Sequence, residues 1–279
     1  MSIRRFLATA ALLSSPTAPT AAPHEAQAPN EPSKLFTQDM SPLGAGWWQI
    51  QTNVVHARAS RQWDADGNPG DRGLALESLC EVVVNYGATD DLDLGVGIGH
   101  AWLSDGASDP DAGRGVTDLV AAAKWRLLGT DGGTSLGVTP TLLIPVGRES
   151  SPYTLGPGQG AWVFDARAAL TQDWAPGWST NADVGYAVPF GDREDNRGVF
   201  SVNAAAGWQP LAWLQPEVEV HYCCAYIRHA PNTDHVAVTA GVVLTLADWL
   251  VPRAGVRQVV AGRAEDRTTI LKLSVDWFF

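Results

Sequence analysis

Lys124 and Arg126 stand two residues apart in "TDLVAAAKWRL" (117–127), and Glu217 and Glu219 stand two apart in "QPEVEVHYCCAY" (215–226). A spacing of two puts both members of each pair on one face of a strand. Acids and bases repeated at that spacing can line a narrow water-filled passage as a charge ladder, or fill an interior with salt bridges. Reading the alternation along the chain, the inward set is Glu81, Asp93, Asp118, Lys124, Arg126, Asp165, Arg167, Asp183, Glu217, Glu219, His221, Arg253, Arg257, Lys272 and Asp276. Within it Arg126, Arg167, Arg253 and Arg257 are expected to set ion preference. Glycines at 95, 97, 99, 185, 207 and 241 would leave local space, which favours a passage over a filled interior.

Hydrolytic chemistry would need an imidazole placed to deprotonate a nearby hydroxyl. His56, His100, His221, His229 and His235 are followed two positions on by Arg58, Trp102, Cys223, Pro231 and Ala237, never by Ser. His221 with Cys223 has the spacing for a thiol nucleophile, but no oxyanion hole is evident beside it. Asp234–His235 resembles a protease pair only in composition. The stretch "DADGNPGD" (64–71) offers oxygens at alternate positions, as a calcium loop does. Gly67 follows Asp66 directly and no Glu closes the run, so a solvated turn is expected. Cys80, Cys223 and Cys224 are odd in number with two adjacent, which is not a disulfide framework. The adjacent pair could bridge or bind metal; small apolar strand residues is the favoured reading. No catalytic residue, metal or other cofactor is expected.

The elements that must carry these residues are strands. The chain ends on "TTILKLSVDWFF" (268–279), where Leu271, Leu273, Val275, Trp277 and Phe279 alternate with Lys272, Ser274 and Asp276. Eleven more segments share this period, beginning near residues 47, 80, 92, 117, 135, 162, 178, 200, 215, 236 and 251. Each is roughly ten residues long, the length a tilted strand needs to cross a bilayer. The connections alternate: tight turns at 87–91, 129–133, 174–177, 209–212 and 247–249, and longer polar links at 61–73, 104–115, 147–160, 191–198, 228–235 and 262–267. Soluble sandwiches have no reason to sort loops so, whereas transmembrane barrels do. Trp174, Trp178, Trp208, Trp213, Trp249 and Trp277, with Phe279, fall beside the short turns or at the chain end, where they would form one interfacial girdle.

The expected fold is therefore all-β: a transmembrane up-and-down antiparallel barrel of about twelve strands, with short periplasmic turns and longer extracellular loops. Pairing of the last strand with the one beginning near Trp47 would leave no open edge. "FLATAALL" (6–13) after Arg4 and Arg5 has the order of an export signal. The organisation reads as a signal over 1–28, a flexible lead over 29–46 and a barrel over 47–279. Lys+Arg 19 against Asp+Glu 30, a net charge of -11 without a basic cluster, argues against nucleic acid. A mean hydropathy of -0.06 with no apolar run of 18 residues excludes a helical span.

The closing Phe279 resembles the C-terminal signal read by the barrel-assembly machinery of Gram-negative outer membranes. The runs "GVTDLVAAAKWRLLGTDGGTSLGVTPTLLIPVGRES" and "GPGQGAWVFDARAALTQDWAPGWSTNADVGYAV" resemble the outer-membrane family named putative MetA-pathway of phenol degradation, often labelled "transporter". The likeness lies in a Gly-x-x-Asp-Leu start, a Lys-aromatic-Arg strand, a Pro-x-Gly strand end and a Gly-rich link before an Asp-bearing strand, and it covers roughly residues 80–279. The resemblance implies passive uptake of small molecules, hydrophobic or aromatic ones, and supplies no catalytic residues. Expected partners are outer-membrane lipid and lipopolysaccharide, the barrel-assembly machinery and a small-molecule solute. The competing readings are a surface or structural protein without transport and, more remotely, a barrel-embedded lipid hydrolase.

Overall fold

The computed structural model describes residues 34–279 apart from 106–110, 131, 148–157, 159, 175, 191–195 and 229. The expected signal and much of the outer links lie outside the described residues. Thirteen strands form one antiparallel sheet: β1 (Trp48–Trp63), β2 (Pro69–Thr89), β3 (Leu92–Asp105), β4 (Asp111–Val116), β5 (Leu119–Gly129), β6 (Thr134–Ile144), β7 (Trp162–Trp174), β8 (Trp178–Phe190), β9 (Asn196–Trp208), β10 (Leu214–Ile227), β11 (Thr233–Leu244), β12 (Leu250–Arg263) and β13 (Glu265–Phe278). β4 and β5 are two halves of one stave. Both pair with β3, through His100↔Val116 and Gly97↔Val120. The break falls at Thr117–Asp118, where the Thr117 hydroxyl accepts the Gly99 N–H at 2.9 Å and Asp118 accepts the Gly147 N–H at 3.0 Å.

Twelve staves thus close on themselves. β13 pairs with β1 from Gln49↔Phe278 onward, and Trp48 and Phe279 exchange both backbone hydrogen bonds, at 3.1 and 2.9 Å. In hydrocarbon every backbone donor and acceptor needs a partner inside the protein, and closure supplies one for the last strand as well as the first. Two links expected to be long are largely strand instead. β1 and β2 leave only Asp64–Asn68 between them, and β12 turns into β13 across Ala264 at φ 50. The first of these turns is built on Asp64, which accepts the N–H groups of Asp66 at 2.9 Å and Asn68 at 2.8 Å. Asn68, through its N–H first and its side-chain amide next, holds the Asp64 carboxyl below the ordinary carboxylate range. This is a turn made by its own carboxylate, as Asp-rich turns are.

The outward residues form an apolar wall with aromatic rings at both rims. Trp174, Trp178, Trp208, Trp213, Trp249 and Phe279 are exposed at the short-turn end, with Trp277 half-buried among them. The rings of Trp178 and Trp208 lie 5.9 Å apart and 18° from parallel. A second set sits at the opposite rim, where Trp162 stacks on Phe190 at 6.2 Å.

Candidate functional site

The bore is where charge collects, and the chain's own N-terminal segment sits in it. Residues 34–43, "KLFTQDMSPL", belong to the stretch expected to be a flexible lead, yet all ten are buried. From Trp47 at the short-turn rim the segment runs up to mid-bore at Phe36 and returns to Lys34, whose ammonium donates to Ser179 near the same rim. Irregular backbone buried away from water must find hydrogen-bond partners, and here the wall provides them. Carboxylates take the N–H groups. Glu217 accepts Leu35 at 2.5 Å, Glu219 accepts Phe36 at 2.9 Å and Thr37 at 3.1 Å, Asp183 accepts Gln38 at 2.9 Å, and Asp93 accepts Leu43 at 3.0 Å. Cations give to the carbonyls: Arg253 to Lys34 at 2.9 Å, Lys272 to Leu35 at 2.5 Å and Lys124 to Ser41 at 2.5 Å. That division explains why the inward face needs both signs of charge.

The same residues are tied to one another. Arg167 bridges Asp165 at 3.0 Å and Asp183 at 2.8 Å, Arg257 reaches Glu219 at 3.5 Å, Lys124 faces Asp93 at 3.4 Å, and Arg253 pairs with Asp276. Arg126 leaves the bore for the periplasmic turn, binding Asp91 at 2.8 Å. Glu81 accepts Asn53 at 3.1 Å. Phe36 is clamped between cations, with the Arg257 guanidinium 3.9 Å and the Lys272 ammonium 4.7 Å from its ring centre. The four arginines expected to set ion preference therefore each face a carboxylate, and two of them, Arg253 and Arg257, lie against the inserted segment.

Two of the glycines expected to leave space open, Gly207 and Gly241, face the inserted segment instead, as does Gly255. A Cβ on Gly207 would meet the Lys34 ammonium at 3.1 Å, and one on Gly241 or Gly255 would collide with Leu35 Cδ1. Gly255→Val is expected to cost about 1–3 kcal/mol, the usual range for overpacking. The loss should disappear when Leu35→Ala is added, as urea unfolding of the single and double variants in lipid vesicles would show.

Above the inserted segment the inward face changes character. Along β1, Gln49, Gln51 and Asn53 give way to Val55 and Ala57, and these pack with Leu79, Ala101 and Ile270. Val120, Leu143 and Val163 continue the belt, as do Val199 and Ala225. Ala237 and Val259 complete it beside Trp63. The bore thus has a polar tier toward the short turns and, above it, a largely apolar belt that also carries Glu77, His235 and Glu265. Sequence reading missed this belt because it sought polar residues inside. Its signal was two adjacent apolar residues in one strand, as in Val54–Val55, Leu142–Leu143, Val259–Val260 and Ile270–Leu271, where one of each pair must face in.

Cys223 and Cys224 point to opposite faces, as neighbours on a strand must, so they neither bridge nor share a ligand. Cys223 faces the bore with His221, and β11 brings His235 beside them.

A closed antiparallel barrel with apolar outer wall, aromatic rims and charged bore is a Gram-negative outer-membrane β-barrel. The sequence profile described as "Putative MetA-pathway of phenol degradation" matches residues 49–222, and the chain belongs to that family. Among solved structures it is similar to the COG4313 outer membrane channel from Pseudomonas putida F1, at TM-score 0.75 and 14% identity, covering 88% of this chain and 100% of that one. It is similar also to the beta domain of the Bordetella autotransporter BrkA, at TM-score 0.53 and 13% identity over 84% of this chain and 100% of that one. The KdgM porin in complex with disordered oligogalacturonate gives TM-score 0.51 and 9% identity over 82% of this chain and 98% of that one. No curated protein matches by sequence.

Proposed function

We propose that this outer-membrane barrel is a channel for passive uptake of small apolar or aromatic molecules. The observation that carries this reading is the two-tier bore. A largely apolar inner belt toward the outer links offers a solute of low polarity a contact surface, and the polar tier beneath is occupied by residues 34–43. The description of the family and the channel role in the name of the Pseudomonas putida protein support the same class. Vesicles containing the protein are expected to swell in one-ring aromatic acids and not in sucrose. Failure to swell in either would favour the second reading, a surface protein without transport, for which the filled bore speaks.

The barrel-assembly machinery is the partner proposed for β13. Phe279 is exposed at the rim and bonded to Trp48, so the last strand ends on a free aromatic ring. Lipopolysaccharide is the proposed lipid partner of the rim bearing Trp162 and Phe190.

A further inference from the structure

Just above the inserted segment, in the outer half of the bore, three metal-ligating side chains converge. Cys223 on β10 lies directly across from His235 on β11, and His221 stands two residues below Cys223 on the same face. The imidazole rings of His221 and His235 are 5.2 Å apart. One ligand atom from each of the three residues lies within 4.8 Å of the other two, and all three side chains are buried. Nitrogen and sulfur bound to one tetrahedral ion would sit roughly 3.3–3.7 Å apart, given Zn–N and Zn–S bonds of about 2.0–2.1 and 2.3 Å. Small side-chain rotations cover that difference. The registers put Ser201 directly across from Cys223 and Ala237 directly across from His221, two of the smaller side chains of the bore.

The groups behind the cluster prepare it for a cation. Asp183 accepts from Arg167 at 2.8 Å and from the Asn203 amide at 2.8 Å. A carboxylate only accepts, so the Asn203 nitrogen must face Asp183 and its oxygen must face His221. That oxygen lies 2.7 Å from His221 Nδ1. Nδ1 therefore carries the proton, and Nε2 carries the lone pair that a metal would take. Glu265 stands 3.8 Å from His235 Nδ1 and adds negative charge on the other side. A carbonyl or carboxylate behind each ligating imidazole is the usual arrangement of a protein metal site.

We propose that His221, Cys223 and His235 bind one borderline-soft transition-metal ion, Zn²⁺ or copper. Two imidazoles and a thiolate select such ions over Ca²⁺ and Mg²⁺, which take oxygen. Three protein ligands leave a fourth position for water or a solute in the bore. The ion would tie β10 to β11 directly above the Phe36–Glu219 contact. It departs from the sequence expectation of no metal, because the third ligand comes from another strand.

The test uses the full mature chain, tag removed, in detergent, stripped with chelator and titrated with Zn²⁺, Cu⁺ or Co²⁺ alone. One equivalent should bind per chain, and Co²⁺ should give a thiolate-to-metal absorption band. Cys223→Ser should lose the band, while a Cys80→Ser/Cys224→Ser double variant keeps it. Asn203→Ala should weaken binding about 10–100-fold, as lost outer partners of ligating histidines do. X-ray absorption of the zinc-loaded wild type needs no variant and should show one sulfur at about 2.3 Å with nitrogens at about 2.0–2.1 Å. A shell without sulfur, or no saturable binding, would overturn the proposal, as would equal binding by properly folded His221→Ala and Cys223→Ser proteins. Competition between Zn²⁺ and Cu⁺ ranks the site's preference for the two proposed ions, with Co²⁺ serving only as the spectroscopic probe. None of these readouts depends on transport, so the site and the channel can fail separately.

Discussion

Removing residues 34–43 should raise single-channel conductance in planar bilayers on the order of tenfold, because a bore filled by side chains passes ions only through residual gaps. The barrel itself should survive the deletion. The described strands pair with one another without drawing on the segment, and the twelve staves close through β1 and β13. Water entering the vacated tier would solvate Glu217, Glu219, Asp183, Lys272 and Arg253, replacing the hydrogen bonds they lose. Ion selectivity should emerge in the same experiment, since the wall charges would then face solution rather than peptide groups. An unchanged conductance, with the heat-modifiable gel shift of a folded barrel retained, would mean that the segment does not set the resistance of the pore.

Glu219→Ala is expected to destabilise the folded protein by about 3–5 kcal/mol, the range seen when one member of a buried ion pair is removed. Three groups depend on this carboxylate: the N–H groups of Phe36 and Thr37, and the Arg257 guanidinium at 3.5 Å. Arg257 keeps Thr239, the Phe36 ring and the more distant charge of Asp183, none of which replaces the direct ion pair. Glu219→Gln should cost less, because the amide oxygen can still accept one of the N–H groups. Combining Glu219→Ala with Arg257→Met should restore much of the loss, since no unpaired charge is then left in the bore. Urea unfolding of the three proteins in lipid vesicles measures this. A Glu219→Ala protein as stable as the wild type would show that water, not the carboxylate, satisfies the segment.

Period-two alternation is a local property of the chain, and it determined much of this protein. The strands, the face each presents to lipid, the rim tryptophans and the closing pair of β1 with β13 follow from it, because a strand's side chains are distributed by parity alone. Glu81, Asp165, Arg167, Glu217 and Lys272 fall on the inward face for the same reason. Which inward residues meet across the bore has no such local rule. The contact of Arg253 with Lys34, the fit of Leu35 over Gly241 and Gly255, and the meeting of His235 with His221 and Cys223 arise only when distant strands are brought round and staggered. Residues 34–43 carry Leu35, Phe36, Met40 and Leu43 at no regular period, so their burial could not be read before closure made a cavity to receive them.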